Sequence, residues 1–341
     1  MTPARFHAIT ARYQALKIAI IGDFCLDRYL EIDPARTEAS LETGLPVHNV
    51  VNLRAQPGAA GTVLNNVAAL GASEIFPVGF CGEDGEGFEL RRALAAHPGV
   101  QLDYFLTTPL RRTFTYCKPL VIEPDEPPHE LNRLDSKNWT PTPPAVAEEL
   151  AVSTARLLKR VHAVIVMDQV DLAETGVVTK AMLDMLGRET KNSTVPVIAD
   201  SRRGLHGYPP VIFKMNAAEL AKLCGLSGTL TLDQVRDATA QLARKNQRTV
   251  FVTLAERGLT GAAPDGATEH IPTLPLRGPI DIVGAGDSVT ANLALALAAG
   301  ATLREALELA ALASSLVIHQ LGTTGTASVA QMEALLPALS G

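Results

Sequence analysis

Short apolar runs of strand length recur along this chain with helix-patterned stretches between them, and that alternation restricts the fold more than any other feature. The runs are Lys17–Gly22, Ile75–Gly79, Val161–Met167, Val195–Ala199, Val211–Phe213 and Thr249–Leu254. Helical patterns lie at Thr62–Leu70, Gly85–Ala96, Pro144–Lys159, Glu174–Lys191, Ala217–Cys224 and Leu232–Lys245. Strands that read as unbroken apolar runs are covered on both faces. The expected fold is therefore α/β, a doubly wound, mainly parallel sheet with helices on both sides. Ligands of such sheets bind beyond the carboxyl ends of the strands. Asp23, Asp168 and Asp200 each follow a predicted strand there, an acidic rim.

Two segments break the alternation, about residues 27–54 and 104–135. Their short β-like pieces, Tyr29–Ile32, Val47–Leu53 and Thr113–Ile122, are separated by charged and proline-containing turns. They are expected to form a small β-sheet lid inserted in a single domain covering residues 1–341, and a lid excludes water from a reaction.

A content of 47% hydrophobic residues over 341 supports one large core. Thirty basic against 36 acidic residues give a net charge of −6, which leaves no general footprint for nucleic acid or an anionic membrane. Small polar molecules are the expected partners. Neither a signal-peptide core nor a spanning apolar run is visible, so a cytoplasmic location is expected. Cys25, Cys81, Cys117 and Cys224 lack the spacing of a disulfide framework, a zinc site or a thiol nucleophile.

The chemistry concentrates at Asp281-Ile-Val-Gly-Ala-Gly-Asp287, followed at once by a small apolar helical run, Ser288–Ala299. Gly284, Ala285 and Gly286 permit a tight turn whose amides converge at a helix N-terminus, an anion site. Asp287 at the same mouth would stand beside the anion as a base, which suits proton removal from a hydroxyl during phosphoryl transfer. Neither GxxxxGK[ST] nor a GxGxxG after the first strand occurs, which argues against P-loop enzymes and Rossmann dehydrogenases. Asn216-Ala-Ala-Glu219 opens a helix after a strand. On its own it reads as an N-cap with an acidic first turn, the alternative being a carboxylate and amide able to hold hydrated Mg²⁺. Thr302-Leu-Arg-Glu305 is a capping box opening a helix that runs to about Gln320, and Leu321–Gly325 is a turn able to lie against a flat ligand.

Taken in order from about Lys17 to Leu336, these pieces resemble the ribokinase-like, or PfkB, carbohydrate kinase family. Asp281–Asp287 resembles its C-terminal signature, Asn216–Glu219 its N-x-x-E motif, and Pro57-Gly-Ala-Ala-Gly61 with Asn66 its N-terminal glycine-rich signature. Gly22-Asp23 with Asp27-Arg28-Tyr29, Ser40-x-Glu42 leading to Pro46-Val47, Asn132-Arg-Leu-Asp135 and His319-Gln-Leu-Gly-Thr323 resemble the kinase domain of the heptose-7-phosphate kinases. The resemblance implies ATP and Mg²⁺, with Asp287 as base and the amides of Gly284, Ala285 and Gly286 as anion hole. It also implies Asn216 and Glu219 holding Mg²⁺ through water, and Asp27, Arg28, Gly58, Ala59 and Asn66 around the sugar. Thr253, Gly258, Asn216, Ser315 and Gly322 would border the nucleotide. Carbonyls near Asp281 and Ile282 would hold a monovalent cation, with K⁺ the candidate.

The departures are Ala59 for the second glycine of a usual pair, Thr62 for asparagine, Val283 for a hydroxyl residue, Lys214-Met215 for Thr-Pro, and Ala255 for glycine. Most of the cations Arg28, Arg36, Arg111, Arg112, Lys118, Arg133, Arg202 and Arg203 should be solvated, with about two touching ligand. No nucleotidyltransferase H-x-G-H motif occurs, so the expectation is the kinase half alone. The expected activity is ATP-dependent phosphorylation of a sugar or sugar-phosphate hydroxyl by a homodimer paired through its lids. The rivals are a nucleoside or other alcohol kinase of the same fold and a non-catalytic sugar- or nucleotide-binding regulator.

Overall fold

The computed structural model describes residues 1–339. Its strands are β1 (Lys17–Gly22), β2 (Phe24–Ile32), β3 (Glu38–Ala39), β4 (Pro46–Val47), β5 (Val50–Ala59), β6 (Glu74–Gly82), β7 (Phe105–Thr108), β8 (Thr115–Val121), β9 (His129–Glu130), β10 (Ala163–Asp168), β11 (Val197–Ser201), β12 (Ile212–Asn216), β13 (Val250–Thr253), β14 (Leu259–Ala262) and β15 (Thr268–Ile271). Its helices are α1 (Pro3–Thr10), α2 (Ala60–Ala69), α3 (Gly85–Ala95), α4 (Pro144–Leu157), α5 (Lys180–Glu189), α6 (Ala217–Cys224), α7 (Leu232–Asn246), α8 (Ala285–Ala298), α9 (Leu303–Val317) and α10 (Val329–Leu335).

Nine strands form the main sheet in the order β15-β14-β13-β12-β11-β10-β1-β6-β7. From β7 to β13 all neighbours are parallel, and β14 and β15 turn back antiparallel at one end. The unbroken apolar runs have a direct cause in the packing. On β1, Ile18 and Ile20 enter a core with α2, α8 and α9, while Ala19 and Ile21 enter a second core with α4, α5 and α7. Alternate residues of β10 divide the same way, Ile165 to one side and Val164 and Val166 to the other. Burying each such side chain contributes roughly 1.5–3 kcal/mol, so neither face tolerates a polar residue.

A second sheet, in the order β5-β2-β8-β9, stands apart from the first, and β3 pairs with β4 alone. β2 runs antiparallel to β5 and parallel to β8. The stretch expected from residue 104 divides between the two sheets. Phe105–Thr108 pairs in parallel with β6 at the edge of the main sheet, and the small-sheet part begins at Thr115. The helix expected from Glu174 begins only at Lys180, capped by Thr179. The preceding loop is instead held by Asp23, whose carboxylate accepts the N–H of Gln169 (2.8 Å) and Val177 (2.7 Å). Among the described residues no helix is long and apolar enough to cross a membrane.

Candidate active site

The site lies at the carboxyl edge of the main sheet, where α8 begins and the small sheet leans over it. Gly284 caps α8 with φ 81° and ψ −5°, a left-handed conformation that glycine adopts without strain. The Asp281 carboxylate sets up the turn by accepting the N–H of Val283 at 3.0 Å and also holds the N–H of Gly322 at 3.2 Å. The Ala285 amide donates to Ile282 O at 3.2 Å. The expected three-amide anion hole is thus reduced here, while the amides of Gly284 and Gly286 have no acceptor among the described residues. They sit at the positive end of a 14-residue helix.

Asp287 occupies the first turn of α8, partly open to the cleft. Loss of hydration pushes its carboxyl up to about 7; Lys214 and Arg202 oppose the shift, while Asp200 and Asp27 reinforce it. A carboxyl that titrates near neutrality suits a general base.

Lys214 is the residue that sequence reasoning passed over. Buried in the middle of β12, its ammonium meets Asp200 Oδ2 at 2.6 Å. It reaches far enough that a Cβ on Gly286 would lie 3.1 Å from Nζ. Burial alone would pull this ammonium down, but Asp200 and Asp287 outweigh it and keep it charged. Asp200 also accepts from Thr290 of α8 at 3.3 Å. A cation is thereby fixed beneath the anion turn. The available signal was Lys214 inside a buried strand, where lysine is rare unless paired.

Of the two readings of Asn216 and Glu219, the N-cap is what the geometry displays. Each side chain caps the other's backbone N–H, at 2.9 and 2.8 Å, a reciprocal capping box at α6. Burial leads the influences that raise the Glu219 carboxyl. The capping bond uses Glu219 Oε2, which leaves Oε1 as a carboxylate oxygen of the kind that hydrated Mg²⁺ takes. On the neighbouring strand, Thr253 is in register with Asn216. Gly258 turns the chain from β13 to β14, Ser315 is buried in α9, and its carbonyl accepts from Arg277 at 2.9 Å. Ile282 is exposed beside the turn.

On the acceptor side, Asp27 is buried in β2. Burial raises its carboxyl, against Lys118 and Arg133. Paired strand residues share a face, so the register puts Gln56, Tyr116, Tyr29 and Lys118 on the same side as Asp27. Lys118 stands 3.7 Å from Asp27, and Arg202 donates to the Tyr116 hydroxyl at 3.2 Å. Arg28, expected at the sugar, faces away instead and pairs with Glu89 of α3 at 2.9 Å, because neighbours on a strand point to opposite sides. Gly58 backs the Asp27 carboxylate, and Asn66, deeper in α2, donates to Thr62 O at 2.9 Å. Ala59 has φ 54° and ψ −118°, and Ala255 has φ 52°. Both alanines hold a backbone shape that favours glycine.

The expected acidic rim does not face the cleft as free carboxylates. Asp23 holds its loop, Asp168 binds Arg203 (2.6 Å), Ser201 and Tyr208, and Asp200 binds Lys214. Arg111 is likewise structural, donating to the carbonyls of Thr140, Pro141 and Thr175. Of the eight cations considered from sequence, three stand around Asp27 and Tyr116: Lys118 beside Asp27, Arg202 bonded to the Tyr116 hydroxyl, and Arg133 over the Tyr116 ring at 4.3 Å.

This architecture is ribokinase-like. The chain is similar over 96% of its length to Arabidopsis thaliana ribokinase complexed with ribose and ATP, covering 99% of that chain, with a TM-score of 0.64 at 20% identity. It is similar over the same share to Escherichia coli phosphofructokinase-2 in complex with substrates and products, covering 100% of that chain, with a TM-score of 0.69 at 18% identity. Residues 17–330 match the pfkB family carbohydrate kinase model, and the chain belongs to that family. Among curated relatives, it is 33% identical to the bifunctional protein HldE of Rhodospirillum rubrum over 338 residues, 98% of this chain and 65% of that protein. It is 32% identical to HldE of Azorhizobium caulinodans over 315 residues, 92% of this chain and 63% of that protein. The chain therefore spans a little under two thirds of these relatives.

Proposed function

We propose that the chain transfers the γ-phosphoryl group of ATP to a hydroxyl of a sugar or sugar phosphate, with Asp287 as base. The observation that carries this reading is the placement of Asp287 at the N-terminus of α8, its carboxyl raised to about 7 between Lys214 and the acceptor strand. Asp27 orients the acceptor, whose hydroxyl gives its proton to Asp287 as the oxygen forms a bond to the γ-phosphorus. The bond from that phosphorus to the β,γ-bridging oxygen breaks, and ADP leaves. The amides of Gly284 and Gly286 and the Lys214 ammonium stabilise charge on the moving group. Asn216 and Glu219 would hold Mg²⁺ through water, and that ion supplies charge neutralisation to the nucleotide phosphates.

Lys118 and Arg202 beside Asp27 favour an acceptor that itself carries an anion. Motif resemblance makes heptose 7-phosphate the first to test. The edge strand β5 exposes Val50, Val51 and Leu53, with unpaired backbone beyond them, which supports pairing with a second copy.

The test is ADP release with ATP, Mg²⁺ and K⁺ over hexoses, heptoses, pentoses, their phosphates and nucleosides. Turnover with a sugar phosphate supports the reading, and preference for a nucleoside replaces it. Tight sugar binding without turnover makes the chain a binding protein. A monomer in sedimentation at micromolar concentration refutes the pairing.

A further inference from the structure

Asp27 lies in the small sheet and the anion turn at the start of α8, yet one side-chain hydrogen bond ties the small sheet to the loop packed against that turn. Gln56 stands directly opposite Asp27 in the β2–β5 ladder. Its Nε2 donates to the hydroxyl of Thr324 at 3.2 Å. Thr324 lies in the loop after α9 and leans on the start of α8, since a Cβ built on Gly284 would lie 3.3 Å from Thr324 Cβ. The loop is fastened on both sides of this residue. Gly322 donates its N–H to Asp281, and Gly325 O accepts from Asn66 at 3.5 Å. Gln320 closes the loop by bonding both the N–H (3.1 Å) and the carbonyl (2.7 Å) of Thr326. A fastened loop transmits position rather than absorbing it.

From this juxtaposition we infer that Gln56 and Thr324 are positioning residues that set the spacing between the acceptor strand and the anion turn. Gln56 acts through the strand that carries Asp27, and Thr324 through its packing on Gly284. Neither touches the reacting atoms. In-line transfer is sensitive to such spacing, because a shift of about 1 Å costs about 10²-fold in rate. The inference rests on the proposed roles of Asp27 and Gly284.

The experiment compares Gln56→Leu, Thr324→Val, the double variant and Thr324→Ser. On the ligand-free protein, hydrogen exchange is followed in peptides covering residues 282–288 and 321–325. Both should exchange faster in Gln56→Leu and Thr324→Val, with thermal midpoints close to the parent, and Thr324→Ser should restore protection. With the best acceptor of the panel, kcat should fall between about twofold and about tenfold in each single variant, the worth of one neutral hydrogen bond. The double variant should be no worse than the poorer single one, because the same bond is lost. ADP released per acceptor phosphorylated should rise above one as water competes with a misplaced hydroxyl. Unchanged exchange at residues 282–288, additive losses, or a serine variant as poor as valine would overturn the inference. Asp287→Asn separates the two readings. If it removes turnover while Gln56→Leu changes nothing, the base stands and the coupling is refuted; if it leaves turnover intact, the proposed mechanism itself fails.

Discussion

Replacing Gly58 by alanine tests the acceptor site through a contact that can be worked out in advance. A Cβ there would stand 2.7 Å from Asp27 Oδ2, 2.8 Å from its Cγ and 2.8 Å from Cys25 Sγ. Ordinary contact begins at 3.4 Å, so 3.4 minus 2.7 requires the carboxylate to retreat by about 0.7 Å. The backbone of Gly58 is not among those with positive φ, so the strain is steric alone. Asp27 is buried and has Lys118 on its open side, which leaves little room to yield. Overpacking of this kind costs about 1–3 kcal/mol in stability. The displacement should lower kcat/KM for the acceptor by about 10- to 10²-fold. KM for ATP should hardly change, since the nucleotide residues lie on other strands. Coupled ADP release with each substrate varied in turn, together with a thermal melt, measures both effects. Gly85→Ala is the control, because its Cβ would meet nothing within 4 Å. A Gly58→Ala enzyme of reduced stability but with parental kcat/KM for the acceptor would show that Asp27 does not hold the sugar.

Asp287→Asn should reduce turnover by about 10²–10⁴-fold, and in the parent kcat should climb as pH rises through about 7 and the base loses its proton. The folded-state value lies above the ordinary 3.8, so the contribution of the protonated group is complete below about 4 and lost as pH rises through about 7. The asparagine variant should therefore gain stability over the parent across that interval, and melts at pH 4 and pH 8 with equal differences would contradict it. Ala59→Gly should remove about 1–3 kcal/mol of backbone strain while adding about 0.4–1 kcal/mol of unfolded-chain entropy, a net stabilisation of order 1 kcal/mol readable by denaturant titration. A destabilised variant would mean that the alanine methyl is needed where it stands.

The main sheet was legible because β1 and β10 are apolar on both faces, a pattern that few other environments produce. Asp281–Asp287 was legible for a different reason: small residues beside a carboxylate at a helix start have few structural uses. What escaped reading depended on partners far apart in the chain. Asp23, Asp168 and Asp200 look alike in sequence, and only folding supplies the N–H groups, arginine and lysine that engage them. Lys214 stands in the sequence only as a departure from the family's Thr-Pro, and its role becomes visible once Asp200 is beside it. Arg28 could have been assigned correctly from strand alternation, since its neighbour Asp27 already claimed the opposite face. The four-residue β7 was concealed by its brevity between a short helical turn and the small sheet.

Only Asp23 separates the last residue of β1 from the first of β2, and β5 passes into α2 without any linker at all. Both junctions adjoin the acceptor site, so the small sheet has no slack by which it could swing while leaving Asp27 behind. If Asp27 holds the acceptor as proposed, sealing the cleft and aligning the hydroxyl would be a single displacement. On that proposal, a molecule too large for the sheet to settle over would be denied alignment as well as dryness, and acceptor size would gate chemistry rather than entry.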